Sequence, residues 1–141
     1  MMGDIVLVGV DGSETALSAA RRAAAVAAAT GARLHVVTAC ARRDVSVVGV
    51  GGDQWVIDTL DDARATAARV AASLGMEGLD IEVSAGEGKP HEVLVDTAKA
   101  LGATLIVVGN RRMQGVGRVL GSIANSVAHS APCDVLIVKT T

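Results

Sequence analysis

Short apolar runs rich in β-branched residues alternate along this chain with longer stretches of helical spacing. This alternation limits the fold more than any single residue does. The short runs fall at 5–10 (Ile5-Val6-Leu7-Val8-Gly9-Val10), 34–39, 79–84, 104–108 and 135–138. The stretch 13–30 is Ala-rich, and Ala is the strongest helix former; Ser13 stands at the N-cap position and Gly31 at the stop. The stretch 54–74 sets Leu60, Ala63, Ala67, Val70 and Leu74 on one stripe at 3-4-3-4 spacing, with Gly75 behind it. The stretch 90–101 opens on Pro90 and stops at Gly102, and the stretch 121–130 ends before Pro132. The order is βαβαβαβαβ, which predicts an α/β fold: an open parallel sheet with helices on both faces.

The character of each run predicts its place in the sheet. Runs 5–10 and 104–108 are nearly continuous Val, Ile and Leu, as in central strands buried on both faces. Run 79–84 alternates and carries Asp80 and Glu82 on one side, which suits an edge. The last run, Val135-Leu136-Ile137-Val138, is apolar throughout; at an edge it would need cover, and a second chain is the natural one. The segment 40–53 is long and irregular, with Gly49, Gly51 and Gly52 close together, and reads as a lid or a disordered crossover. The 141 residues fit one domain spanning 1–141.

Composition excludes several classes of function. Half of the residues are hydrophobic, yet Trp55 is the one aromatic, so the core is built from Ala, Val, Leu and Ile. Single-stranded nucleic acid is gripped by stacking on several aromatics, which this chain lacks. Its 13 basic and 15 acidic residues give a net charge of −2, without the basic footprint that duplex DNA needs. No run approaches the roughly 18 apolar residues of a membrane span, and Met1-Met2-Gly3-Asp4 does not read as a secretory signal. Cys40 and Cys133 are too few for a disulfide scaffold and read as small buried hydrophobes at strand ends. The expectation is a cytoplasmic protein with no nucleic-acid or membrane partner.

In open parallel sheets ligands sit beyond the carboxyl ends of the strands, where strand order reverses. Two loops there stand out. After the first strand, Val10-Asp11-Gly12-Ser13 runs into a helix; Asp11 is either a turn residue or an acceptor for a ligand donor group. After the fourth, the segment from Gly109 to Ser122 carries Arg111, Arg112 and Arg118 with Gly115, Gly117 and Gly121, and ends at a helix start. Helix N-termini favour anions and glycine lets backbone approach phosphate, so this loop is a candidate phosphate site. It is not a Walker A loop, since no Gly-Lys-Ser/Thr occurs. Gly115-x-Gly117-x-x-x-Gly121 also misses the dinucleotide fingerprint by one residue, and the chain has no room for a second, catalytic domain. His35, His91 and His129 are too scattered for a metal site, and no Ser-His-Asp or Cys-His arrangement emerges from spacing. His35 reads as a packing or exposed residue of a strand.

The two loops, together with Gly88-Lys89-Pro90 and the tail from Val127 to Val138 (Val127-Ala128-His129-Ser130-Ala131-Pro132-Cys133-Asp134-Val135-Leu136-Ile137-Val138), resemble the universal stress protein family over the whole chain. The resemblance implies a Rossmann-like five-stranded parallel sheet of order 3-2-1-4-5, dimeric through the last strand. One branch of that family binds ATP through Gly-x2-Gly-x9-Gly-Ser/Thr. Gly109 matches the first glycine and Gly121-Ser122 the last pair; Arg112 occupies the second glycine position, and eight residues rather than nine separate it from Gly121. By the same resemblance Asp11 and the backbone near Val10 and Val36 line an adenine pocket, Gly109 approaches the ribose, and Gly121, Ser122 and Ile123 hold phosphates. Arg111 and Arg112 supply charge, and Gly115 and Gly117 backbone approach. The expected ligand is ATP or another adenine nucleotide such as cyclic AMP, with or without Mg²⁺. Three readings follow. The first is a nucleotide-binding regulatory homodimer of the stress response. The second is a nucleotide-free dimeric interaction protein of the same fold. The third is a weak ATPase or small-molecule transferase, for which no general base with a positioned partner is visible.

Overall fold

The computed structural model describes residues 3–40, 59–110 and 120–140. Its elements alternate as β1 (Ile5–Gly9), α1 (Glu14–Thr30), β2 (Arg33–Cys40), α2 (Thr59–Ser73), β3 (Ile81–Glu87), α3 (Pro90–Leu101), β4 (Leu105–Asn110), α4 (Ser122–Ser130) and β5 (Asp134–Lys139). The strands form one parallel sheet of order β3-β2-β1-β4-β5. Strand order therefore reverses between β1 and β4, as the resemblance implied. Segment 41–53 of the candidate lid, and Trp55, lie outside the described residues.

The sheet separates two apolar clusters. Val6, Val8, Leu34, Val36 and Val107 point to the face covered by α1 and α2. Ile5, Leu7, Val37, Ile106 and Val108 point to the face covered by α3 and α4. Successive strand residues alternate between faces, so β1 is buried on both sides, as a continuous aliphatic run requires.

The Ala-rich α1 explains how a chain almost without aromatics packs densely. Its buried stripe is Ala19, Ala20, Ala23, Ala24 and Ala27, and such small side chains bring the helix axis close to the sheet. Gly109 on β4 extends that fit: a Cβ there would lie 3.2 Å from the Thr15 carbonyl oxygen and 3.4 Å from the Ala19 Cβ. The helix ends at Gly31, whose φ of 73° is a left-handed conformation that glycine adopts without strain.

Strand limits and burial differ from the sequence expectation at several points, of which three bear on the site and its support. β3 runs Ile81–Glu87 rather than 79–84. Leu79 belongs to the preceding turn, its N–H donating to the Met76 carbonyl, while Ser84-Ala85-Gly86-Glu87 continue the pairing with β2 as far as Cys40. These small residues look like a strand end in sequence. In the fold they make room for α3, since a Cβ on Gly86 would stand 2.9 Å from Val93 Cγ1. Asn110, read from sequence as a loop residue, is the last residue of β4 and is buried. The stripe on α2 is buried at Ala63, Ala67 and Val70, whereas Leu60 at its start is exposed.

β3 is an edge of the sheet, as its alternation suggested, and β5 is the other edge. Val135, Leu136, Ile137 and Val138 are half-buried, between exposed Asp134 and Lys139.

Candidate functional site

The strand-order reversal opens a cleft of about 380 Å³ at the carboxyl ends of β1 and β4. Its size falls in the range of small-molecule sites, roughly 300–1,000 Å³. From β1 and its loop come Gly9, Val10, Asp11 and Ser13; from β4, Val108, Gly109 and Asn110; from the start of α4, Gly121, Ser122 and Ile123. Val37 and Ala39 of β2 and Pro90, Val93 and Leu94 of α3 complete an apolar side.

The β1 side is a finished turn. Val10 extends the parallel ladder by donating its N–H to the Val37 carbonyl at 2.9 Å. Asp11 Oδ1 accepts the Ser13 N–H at 2.9 Å, and Gly12 between them has a φ of 86°. Ser13 Oγ accepts the Ala16 N–H at 3.2 Å and caps α1. Asp11 is thus the turn residue of one sequence reading, and its exposed side chain also lines the cleft.

The β4 side is built differently. The N-cap of α4 is Gly121, which contributes no side-chain cap. Asn110 Oδ1 accepts the Gly121 N–H at 2.9 Å from β4, and a Cβ on Gly121 would lie 2.8 Å from that same oxygen. The first intrahelical bond runs from the Asn125 N–H to the Gly121 carbonyl. The N–H groups of Ser122, Ile123 and Ala124 therefore have no acceptor within the helix. They carry the partial positive charge of a helix N-terminus. Ile123 is exposed at the mouth of the cleft.

Of the residues singled out in the sequence, the fold brings together Val10, Asp11, Gly109, Gly121, Ser122 and Ile123. Val36 is not among them. It is fully buried under α1 and α2, and its neighbour Val37, on the opposite face, lines the cleft. Arg111, Arg112, Gly115 and Gly117 lie outside the described residues, as does Arg118. Sequence reasoning passed over Asn110, although a polar residue closing an aliphatic strand is a visible signal, and it passed over the apolar wall of Val37, Val93 and Leu94.

A second polar group lies away from the cleft. His35, 7% exposed on β2, faces β3, with Nε2 2.8 Å from Ser84 Oγ and Nδ1 3.8 Å from Glu82 Oε1. In the tautomer with the proton on Nδ1, Nε2 accepts the Ser84 hydroxyl. This Ser-His-Glu grouping, not foreseen from spacing, satisfies a buried imidazole and ties β2 to β3; none of its members lines the cleft. Burial pushes the His35 pKa below 6.5, with the Glu82 carboxylate opposing and Arg33 assisting. Both cysteines are free; Cys40 is buried, and Cys133 is partly buried with its thiol pKa pushed up by burial and then by the Asp134 carboxylate. Among the described residues no helix is long and apolar enough to cross a membrane. No group of three or more His, Cys, Asp or Glu among them could hold a metal ion.

Fold and cleft together define an open, doubly wound α/β protein with a ligand-sized crevice at its switch point. The model of the universal stress protein family matches residues 2–139. A universal stress protein of Mycobacterium tuberculosis is 33% identical over 147 aligned positions that cover 96% of each chain. A solved universal stress protein in complex with cAMP is 33% identical, with 100% of both chains covered and a TM-score of 0.73. The universal stress protein from Archaeoglobus fulgidus in complex with dAMP is 25% identical, with 99% of this chain and 100% of that chain covered and a TM-score of 0.69. The chain belongs to the universal stress protein family.

Proposed function

We propose that this protein is an adenine-nucleotide-binding regulatory module of the stress response, acting in the cytoplasm as a homodimer and without a catalytic reaction of its own. The observation that carries the reading is the open N-terminus of α4 at one end of a cleft whose other side is apolar. First-turn N–H groups that have no acceptor within the helix suit a phosphate. Val37, Val93 and Leu94 suit the faces of a purine, and the Asp11 carboxylate suits an amino group or a ribose hydroxyl. Related proteins in complex with cAMP and dAMP support this ligand class. ATP is the larger candidate. Its further phosphates would extend from the start of α4, and any Mg²⁺ would ride on the phosphate oxygens, since the described residues offer no carboxylate cluster for it.

The test is mass spectrometry of small molecules released from heat-denatured protein, followed by titration with ATP, ADP, AMP and cyclic AMP. Bound or binding adenine nucleotide is expected. A blank up to millimolar concentration would transfer the reading to a nucleotide-free interaction dimer. The dimer is assigned to the edge of β5, where four half-buried aliphatic residues are consecutive. Leu136→Lys or Ile137→Lys is expected to shift the sedimentation coefficient to that of a monomer. An unchanged dimer would place the interface elsewhere.

A further inference from the structure

We infer that Asn110 is the positioning residue of the phosphate end of this cleft, and that position 121 is glycine because Asn110 needs the space. The inference rests on the proposed nucleotide site and concerns what holds that site in shape. A helix start with no side chain at its N-cap has nothing of its own to fix where its first turn sits. Here the restraint comes from the sheet. Asn110 is 4% exposed, and its backbone carbonyl accepts the Thr140 N–H at 3.1 Å, which fastens it to the end of β5. Its Oδ1 then holds the Gly121 N–H at 2.9 Å, across eleven residues of chain.

The bond is placed so that it does not compete with a ligand. It occupies the N–H of the N-cap residue itself, one position before the first-turn donors of Ser122, Ile123 and Ala124. Asn110 thereby sets where those donors point without using them. The same oxygen stands 2.8 Å from where a Gly121 Cβ would be. Any larger residue at 121 must displace the Asn110 amide, which is buried in the present arrangement. The φ of Gly121 is −61°, a value any residue adopts, so conformational freedom does not account for the glycine. Contact with Asn110 does.

The experiment is a double-mutant cycle of Asn110→Ala and Gly121→Ala, read as the ratio of AMP to adenosine affinity by calorimetry. Adenosine occupies the same cleft without a phosphate, so a purely structural loss lowers both affinities and leaves the ratio unmoved. Each single change is expected to lower the ratio about tenfold, the factor that corresponds to ~1.4 kcal/mol. The double change is expected to be no worse than either single one, because both remove the same bond. Should Asn110→Ala fail to fold, Gly121→Ala alone carries the test through the same ratio. An unchanged ratio in the single variants, or losses that multiply in the double variant, would overturn the inference. A wild-type protein that binds AMP no better than adenosine would overturn the phosphate site itself, and this inference with it.

Discussion

The two helix N-termini that flank the cleft are finished in opposite ways. α1 is closed by its own side chains: Asp11 takes the Ser13 N–H, Ser13 takes the Ala16 N–H, and Glu14 adds negative charge in the first turn. α4 begins at a glycine, has no acidic residue in its first turn, and is held from outside by Asn110. Both have the same partial positive charge to satisfy. Where the chain supplies the anion and the acceptor itself, the helix end is structural. The first turn of α4, among the described residues, carries neither an acidic residue nor a cap from its own N-cap side chain, and that is the end to which the proposed function assigns the phosphate.

The largest loss is expected when α4 is given an anion of its own. Ser122→Glu places a carboxylate in the first turn, as Glu14 does in α1. AMP affinity is expected to fall by about 100-fold, equivalent to ~2.7 kcal/mol. The melting temperature is expected to hold or rise, because a first-turn carboxylate stabilises a helix by roughly 0.3–1 kcal/mol. Undiminished AMP binding in calorimetry would show that the phosphate sits elsewhere.

Truncating the serine at each helix start separates a cap from a ligand contact. Ser13→Ala removes a cap and is expected to cost about 1 kcal/mol of stability in urea titration. Ser122→Ala removes no cap and is expected to cost less than about 0.5 kcal/mol, with its loss appearing in nucleotide affinity instead. Equal stability losses would mean that the two ends are not built differently.

The smallest effect lies outside both ends and serves as a control. Burial holds the folded-state pKa of His35 below 6.5. As pH falls through that value the unfolded chain takes up the proton first, so the unfolded state gains. The stability contribution of neutral His35 is complete above pH 6.5 and is lost as pH falls toward its folded-state pKa. Thermal melts between pH 7.5 and 5.5 are expected to show this loss in the wild type and a weaker one in His35→Gln, which does not titrate. Identical pH slopes in the two proteins would contradict a buried, neutral His35.

The fold was legible in the sequence because the signals for it are local. Ala spacing in α1, the aliphatic run of β1 and the Pro90–Gly102 bracket of α3 each report on a few neighbouring residues. The site was legible only where it shares that locality, as at Asp11 and Gly121-Ser122. The resemblance pointed to the backbone near Val36, and the side chain that lines the cleft is that of the next residue, Val37; parity against the cleft depends on which sheet face the crevice opens to. The polar end of β4 is visible in the sequence, but the bond from the Gly121 N–H to Asn110 Oδ1 is not, because it joins residues eleven apart at the start of α4. The His35–Ser84 bond joins residues 49 apart and exists only in the observed register of β2 and β3. No periodicity encodes such a pairing.

On the proposed function the start of α4 receives a phosphate and the start of α1 does not. Backbone amide chemical shifts during titration of isotopically labelled protein with AMP test it most directly, with adenosine as the reference titration. The Ser122 and Ile123 amide protons are expected to move downfield with AMP but not with adenosine, while the Ala16 amide is unaffected by either. Equal shifts with AMP and adenosine at Ser122 and Ile123, or phosphate-dependent shifts at the start of α1, would contradict it.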